Sequence, residues 1–258
     1  MTTLYAADPT PMVARPTPLR RLTRIELRKA TDTRSGRLLL AATAALAVAI
    51  ALGAALAGKR SGHTYASITD ATSTAVFLLL PVVGILLITA EWSQRTALTT
   101  FTLVPRRGRV VAAKLAAAVV LGLLAGVVVI AVAAAATSLA SHQPGSDVWH
   151  ASAHVAVGTV LVVILNMLLG TGFGLLFRNG PLAIVINFTL PTAWSILVTN
   201  VHALHAARDW VDTSTAWHRL TEAHLSATTI GQAIVAASVW VAVPIAIGTA
   251  RLRRRSIS

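Results

Sequence analysis

The chain has 258 residues, and 22 Lys and Arg against 9 Asp and Glu give it a formal charge of +13. Only 12% of the residues are charged and 55% are hydrophobic, whereas soluble domains carry about 25% charged residues. This composition excludes disordered chains and basic nucleic-acid-binding arms, which need far more polar sequence, and no nucleic-acid partner is expected. The lack of cysteine excludes disulfide frameworks, zinc fingers and thiol nucleophiles.

The N-terminal part of the chain is basic and precedes the first long apolar run. Residues 1–17 contain three prolines and are predicted to form a disordered tail. In residues 18–34, Leu19 and Leu22 fall on one side of a helix, and Arg24 and Arg28 fall on the other. A helix of this kind lies in the headgroup plane with its cations toward anionic lipid. The alternative is a basic patch that serves only to orient the chain.

Six apolar runs then follow, each long enough to cross a bilayer. The hydrocarbon core is about 30 Å thick and needs roughly 20 apolar residues. These runs are apolar on all sides, whereas helices of soluble proteins keep a polar face. They predict an all-α, polytopic membrane protein with six transmembrane helices. The predicted spans are residues 38–57, 73–90, 111–136, 154–177, 181–199 and 228–250.

The distribution of Lys and Arg predicts the orientation. The N-terminal segment, the second and fourth loops and the basic tail 251–258 together carry 18 Lys and Arg, and the opposite side carries 4. Because cytoplasmic loops are enriched in these residues, both termini are predicted to be cytoplasmic. We expect a multi-pass protein of the inner (plasma) membrane.

The interiors of the predicted spans contain no Asp, Glu, Lys, Arg or His, and only Asn166 and Asn187 are conspicuously polar. Ion-coupled carriers and intramembrane enzymes usually need ionisable groups at depth. We therefore predict no catalytic and no metal-binding residues. Any uphill transport must be powered from outside the spans.

Residues 53–60 match seven of the eight positions of the phosphate-binding pattern G-x-x-x-x-G-K-[ST]. The eighth position should supply a hydroxyl to magnesium, but it is Arg60. The stretch also lies at the end of a predicted span rather than between a strand and a helix. We therefore expect no cofactor in this chain, and the chain is not an enzyme by itself.

The loop at residues 91–110 is longer than the roughly 2–8 residues that a simple helix connection needs. Leu98, Phe101 and Leu103 would be exposed hydrophobic side chains there unless a partner covers them. The segment therefore favours a short helix that docks on a cytosolic protein. The alternative is a loop folded back on the helix ends.

The order of residues in this loop resembles the cytoplasmic loop of type 2 ABC transporter permeases. An acid is followed by Arg-Thr, then by Leu-x-Pro-x-Arg and a Lys that enters the next span. The matching positions are Glu91, Arg95, Thr96, Leu103, Pro105, Arg107 and Lys114. The resemblance covers about residues 18–250, the expected permease domain. Many members of the family have Gly at the position of Arg95.

The resemblance implies a membrane subunit that dimerises with a second permease, expected to be an identical copy. It also implies two cytosolic ATPase subunits, which bind ATP and Mg and switch the permease between inward- and outward-facing states, usually for export. Residues 91–107, including Leu98 and Phe101, would be the coupling helix, and the outer segment 200–227 would be re-entrant. The interfacial helix would brace the coupling helix through Arg24, Arg28, Lys29 and Asp32.

By the same resemblance, spans two and five line the central cavity. Phe77, Asn187 and Trp194 are therefore candidates for the substrate pathway. A mostly apolar lining would favour a hydrophobic or amphipathic cargo such as a drug, a peptide or a lipid-like compound.

Two other functions stay open at this point. One is a membrane-embedded, metal-dependent hydrolase that uses outer residues such as His202 and His205. The other is a non-transporting membrane receptor or immunity protein whose cytoplasmic loop recruits a regulator.

Overall fold

The computed structural model describes residues 18–57, 64–93, 107–141, 153–222 and 226–254, and these ranges contain helices but no strand. Two 3-10 turns (His202–Leu204 and Arg219–Thr221) and one π-helical turn (Ser238–Ala242) interrupt the α-helices. The α-helices are α1 (Leu19–Asp32), α2 (Arg34–Ala57), α3 (Tyr65–Ser93), α4 (Arg107–Ser141), α5 (Ala153–Phe177), α6 (Gly180–Asn200), α7 (His205–Val211), α8 (Thr213–His218), α9 (Ala227–Ala237) and α10 (Val243–Arg254).

Six helical stretches are long and apolar enough to cross a membrane. They are α2, α3, α4, α5, α6 and the continuous stretch of α9, the π-helical turn and α10. Each of the six predicted spans lies within one of these stretches. The all-α class is confirmed for the described residues, and the number of helical stretches able to cross a membrane is the number predicted.

All six spanning stretches extend beyond the predicted spans, and α3 and α4 are of most interest for the functional sites. Helix α3 begins at Tyr65 rather than at residue 73, and α4 begins at Arg107 rather than at residue 111. Asp70 and Glu91, which lie outside the predicted span 73–90, therefore belong to α3. Lys114 lies in α4 near the start of the predicted third span, as the sequence indicates.

The early start of α3 has a simple physical cause. The hydroxyls of Thr69, Thr72 and Ser73 donate hydrogen bonds of 2.6–2.7 Å to carbonyl oxygens four residues earlier in the same helix. These three side chains are buried, and the helix itself satisfies their polar groups. A Thr- and Ser-rich stretch therefore continues the helix instead of forming a loop.

Helices α3 and α5 form the centre of the bundle. A Cβ atom on Gly84 would lie 2.7 Å from the carbonyl oxygen of Met167, and a Cβ on Gly170 would collide with Pro81. The two glycines thus allow α3 and α5 to approach at backbone distance. The remaining long helices and the outer segment pack around this pair.

The bundle has two ends. The first, here called the basic end, contains the start of α2, the end of α3 and the start of α4. Helix α1 packs beside α4 at this end and buries Glu26 and Ala30. The opposite end contains the short helices α7 and α8, which lie between α6 and α9 in the chain.

Candidate functional site

Four charged side chains meet at the basic end, and we call them the ion cluster. Lys29 Nζ lies 2.8 Å from Glu26 Oε1 and 2.8 Å from Glu91 Oε1. Lys114 Nζ lies 2.7 Å from Glu26 Oε2 and 3.3 Å from Glu91 Oε1. It also donates a 2.9 Å hydrogen bond to the carbonyl oxygen of Leu87. The cluster therefore joins α1, α3 and α4.

Most of this cluster is withdrawn from solvent. Glu26 and Glu91 are each 5% exposed and Lys114 is 2% exposed, while Lys29 is partly open. Buried charges are tolerated when they are paired and hydrogen-bonded, and here two carboxylates balance two ammonium groups. Partial burial of Lys29 disfavours its charged form, but Glu26 and Glu91 outweigh this and hold the pKa of Lys29 above its usual value.

The cluster lies where the predicted coupling segment joins its two flanking helices. The end of α3 and the start of α4 are called its stems here. Glu91 belongs to the last turns of α3, and Arg107 is the first residue of α4. The two residues predicted to bound the coupling helix thus belong to α3 and α4, and residues 94–106 between these helices lie outside the described residues. The other six predicted coupling residues lie outside the described residues: Arg95, Thr96, Leu98, Phe101, Leu103 and Pro105.

Helix α1 contributes to the cluster with only one of its predicted residues. Lys29 joins it, whereas Arg24, Arg28 and Asp32 are exposed. Sequence reasoning missed Glu26 as a site residue. The signal was available, because Glu26 is one helical turn from both Lys29 and the apolar Ala30 and so shares their face.

A cavity of about 1370 Å³ lies in the other half of the bundle, between α3, α5, α6 and α8. Each long helix lines it with one face, at the three- and four-residue spacing of a helix. The α3 residues include Asp70, Ser73 and Phe77, and the α6 residues are Asn187, Phe188, Pro191 and Thr192. The α5 residues are Val155, Thr159, Val162, Asn166 and Leu169.

The two asparagines predicted as the polar residues of the spans both line this cavity. Asn187 is 4% exposed, and its Oδ1 has no hydrogen-bond partner among the described residues. Asn166 Nδ2 is 3.4 Å from the carbonyl oxygen of Phe77, which is a long contact. Buried amides normally find partners in the protein, so the free oxygen of Asn187 is unusual.

Two of the three candidate pathway residues, Phe77 and Asn187, line the cavity, and Trp194 is not among its lining residues. Trp194 and Phe77 both pack against the apolar cluster that contains Ala183 and Trp217. Sequence reasoning missed Asp70 as a lining residue, because it was expected in a loop. It also missed Trp217, which reaches the cavity from the short helix α8.

Asp212 fixes the start of α8 beside the cavity. Its Oδ2 accepts hydrogen bonds from Ser214 Oγ at 2.6 Å, Thr215 N at 2.9 Å and Thr215 Oγ1 at 2.6 Å. Burial works against the charged form, but the hydrogen bonds from Ser214 and Thr215 outweigh it and hold the pKa of Asp212 below its usual value. Asp212 is thus a charged N-cap that positions Ser214 and Trp217 in the cavity wall.

Other contacts hold the outer segment in place. Arg219 donates to Asp209 at 2.8 Å and to Gln232 at 2.7 Å. Trp240 Nε1, in the π-helical turn, donates to the carbonyl oxygen of Val211 at 2.6 Å. The short helices are therefore attached to the last span and cover one end of the bundle.

The described histidines on this side, such as His202 and His205, form no group that could hold a metal ion. His202 and His205 pack edge to face with ring centroids 4.9 Å apart. In the part of the chain that the structure describes, no three His, Asp or Glu side chains are placed to hold a metal ion.

Comparison with models of known protein families gives no match, and no curated protein matches the chain. The fold and the sites define a class: a helical protein with six helices able to cross a membrane, an ion cluster at one end and a cavity toward the other.

Proposed function

We propose that the chain is the transmembrane permease subunit of an ATP-driven ABC transporter. A separate cytosolic ATPase drives it, and its cargo is a hydrophobic or amphipathic compound that is exported. One observation carries the proposal: α3 bears Glu91 of the ion cluster near one end and lines the cavity near the other. Asp70 and Glu91 are about 30 Å apart along this helix at 1.5 Å per residue. Motion at the basic end is transmitted to the cavity by a single helix.

The ion cluster supports this role because it ties together the elements that a docking partner would move. Residues 94–106 connect α3 to α4, and Glu91 and Lys114 link the two stems. Glu26 and Lys29 attach α1 to the same stems. Short, buried ion pairs resist separation, so the three helices move as one unit when the connecting segment is displaced. Glu91 acts here by positioning the stems rather than by touching the ATPase.

The charge distribution supports the orientation. The basic end contains α1 and the starts of α2 and α4, and 18 of the 22 Lys and Arg belong to its side of the chain. This end lies on the cytoplasmic side of a bacterial plasma membrane. Helix α1 lies at headgroup level, where exposed Arg24 and Arg28 meet lipid phosphates.

The cavity supports a transport role. Its volume of about 1370 Å³ is larger than the roughly 300–1,000 Å³ of typical small-molecule pockets. Aromatic side chains such as Phe77 and Trp217 lie beside amides and hydroxyls, which suits a compound with both apolar and polar parts. The working complex contains two permease copies and two ATPase subunits, and ATP and Mg bind to the latter.

Copurification tests the proposal. The tagged chain is isolated from its native membrane in mild detergent, its companions are identified by mass spectrometry, and ATP hydrolysis is measured. We expect a polypeptide with an intact phosphate-binding loop at about one copy per chain. A stable membrane protein that carries no nucleotide-hydrolysing companion contradicts the proposal.

A pair of variants tests the role assigned to the cluster. In Glu91→Gln the companion should still copurify, but cargo should stimulate ATP hydrolysis less. Glu91→Asp keeps the charge and should retain more of the stimulation. Full stimulation in Glu91→Gln contradicts the role of the cluster. That result would not bear on whether the chain is a permease subunit, which the copurification experiment decides.

A further inference from the structure

The charged side chains that line the cavity are acidic. The chain as a whole has a formal charge of +13 and 22 Lys and Arg. The cavity wall nevertheless contains Asp70 and Glu222, and no Lys or Arg of the described residues lines it. Arg219 is close in sequence to the lining residue Glu222, but its guanidinium donates hydrogen bonds to Asp209 and Gln232. The cavity is therefore locally negative within a basic protein.

The two carboxylates are available to a ligand. Both Asp70 and Glu222 are exposed, and within the described ranges neither takes part in a salt bridge. Every other acid in the described ranges except Asp32 is paired or hydrogen-bonded, as in the ion cluster and at Asp212.

A second observation, independent of the acids, also indicates a ligand. Asn187 lines the same cavity, is 4% exposed, and has an amide oxygen without a partner among the described residues. An unpaired buried acceptor destabilises the folded protein, because it has lost its hydrogen bonds to water without gaining a partner. A ligand with an N–H group would supply the missing donor, or a polarised C–H group beside a quaternary nitrogen would do so more weakly.

We propose that the cavity binds an amphipathic organic cation. Asp70 and Glu222 attract the positive group, and Phe77, Phe188 and Trp217 contact the apolar body. Aromatic faces add a further attraction for a cation within about 6 Å. An anion of the same size and shape would meet two carboxylates and, among the described residues, no Lys or Arg; the basic side chain in the lining is the imidazole of His218. The cavity thus selects its ligand by sign of charge as well as by apolar surface.

The helix geometry sets the shape of this ligand. Asp70 and Phe77 are seven residues apart on one face of α3, which is about 10 Å along the axis. Asn166 and Leu169 extend the lining along α5. A compound that brings a positive charge near Asp70 and an apolar surface to Phe77 meets both parts of the wall. The proposal that the cavity binds this ligand does not depend on the proposed function. The further step, that the ligand is the exported cargo, rests on the proposed function.

A matched pair of probes tests the proposal. Tetraphenylphosphonium and tetraphenylborate have nearly the same shape and opposite charge. Equilibrium binding of each is measured on the purified chain in lipid nanodiscs, with empty nanodiscs subtracted. We expect saturable binding of tetraphenylphosphonium and none of tetraphenylborate. Saturable binding of both ions with similar affinity, or of the anion alone, overturns the proposal, as does the absence of saturable binding of the cation.

Variants locate the binding site. The double variant Asp70→Asn/Glu222→Gln should weaken binding of tetraphenylphosphonium about tenfold or more, since two attractive charges are lost. Asp32→Asn removes one carboxylate charge, as each single substitution of the pair does, on the exposed face of α1 at the opposite end of the bundle, and it should leave the affinity unchanged. If the double variant does not fold, Asp70→Asn and Glu222→Gln are measured separately, and each should weaken binding. Unchanged affinity in the folded variants overturns the proposal.

This experiment uses neither nucleotide nor ATPase. If the chain binds cations selectively but has no ATPase companion, the proposed ligand site is supported and the proposed permease function is contradicted. A copurifying ATPase that anionic and neutral amphipaths stimulate as strongly as cations would retain the permease function and reject the proposed ligand class.

Discussion

Lys114 Nζ lies 2.7 Å from Glu26 Oε2, although the two residues are 88 positions apart in the chain. This contact joins α1 to a lysine two turns inside α4 and is withdrawn from solvent. The two residues belong to one charge-balanced group with Lys29 and Glu91. Removing one member leaves its partner as an uncompensated buried charge.

A double-mutant cycle measures this effect. Glu26→Gln and Lys114→Met should each destabilise the protein, by about 3–5 kcal/mol where a buried pair is broken. The combined variant should lose less than the sum, because neither residue then leaves an unpaired charge. Thermal unfolding in detergent, followed by tryptophan fluorescence, gives the four values. Strict additivity would show that the contact contributes nothing of its own.

The raised pKa of Lys29 predicts a dependence on alkaline pH. A lysine whose pKa is higher in the folded state stabilises the protein fully below its ordinary pKa of 10.5. That contribution disappears as the pH rises through the folded-state value. The difference in unfolding temperature between the parent and Lys29→Gln should be constant near neutral pH and should shrink above about pH 10.5. A difference that stays constant to pH 12 contradicts the ion pairing.

Most of the architecture could be predicted from the sequence, because a bilayer imposes a length and a polarity that apolar runs reveal directly. Helix α3 shows the limit. Its first turns contain Thr69 and Thr72 before the predicted start at Ser73, and these threonines look like a loop when counted as polar residues. Their hydroxyls bond to the helix's own carbonyls, so the span extends to Tyr65 and places Asp70 in the cavity wall.

The ion cluster was less accessible to sequence reasoning. Lys29 and Glu91 are 62 positions apart, and their meeting depends on how α1 lies across the ends of two other helices. Glu26 and Lys114 each look like ordinary charges next to an apolar run. Each can be buried only because the packed helices bring the oppositely charged partner into contact with it. The sequence alone does not show this contact. Likewise, Asn187 and Trp194 share a face of α6 by spacing, yet only Asn187 reaches the cavity.

Asp212 is expected to position the cavity wall through α8. Asp212→Ala removes an acceptor of three hydrogen bonds and should cost about 1 kcal/mol or more. Amide hydrogen exchange should then increase in residues 213–218, and binding of tetraphenylphosphonium should weaken because Ser214 and Trp217 shift. Asp212→Asn keeps a capping oxygen and is the matched control. Equal exchange in Asp212→Ala and the parent would contradict the positioning role.

The charge of Asp212 adds a dependence on acid pH. Its pKa is lower than the ordinary value of 3.8, so its contribution to stability is complete above that value. The contribution is lost as the pH falls through the folded-state pKa. The stability advantage of the parent over Asp212→Asn should therefore be steady near neutral pH and decline below about pH 4. Thermal unfolding from pH 3 to 7 measures it, and an advantage that persists unchanged at pH 3 contradicts the prediction.

Gly158 is where the outer segment rests on α5. A Cβ atom there would collide with the carbonyl oxygen of Leu220, so Gly158→Ala should push the Arg219–Thr221 turn away from the helix. Overpacking of this kind costs about 1–3 kcal/mol. The same substitution at Gly53 on α2 meets nothing within 4 Å and should be neutral or stabilising by up to about 1 kcal/mol.

The two glycine variants differ only in what surrounds the added methyl group. Gly158→Ala should weaken binding of tetraphenylphosphonium and increase hydrogen exchange in residues 219–222, because Thr221 and Glu222 belong to the cavity wall. Gly53→Ala should change neither measurement. If both variants bind the probe as the parent does and exchange stays equal, the contact between α5 and the outer segment does not shape the cavity.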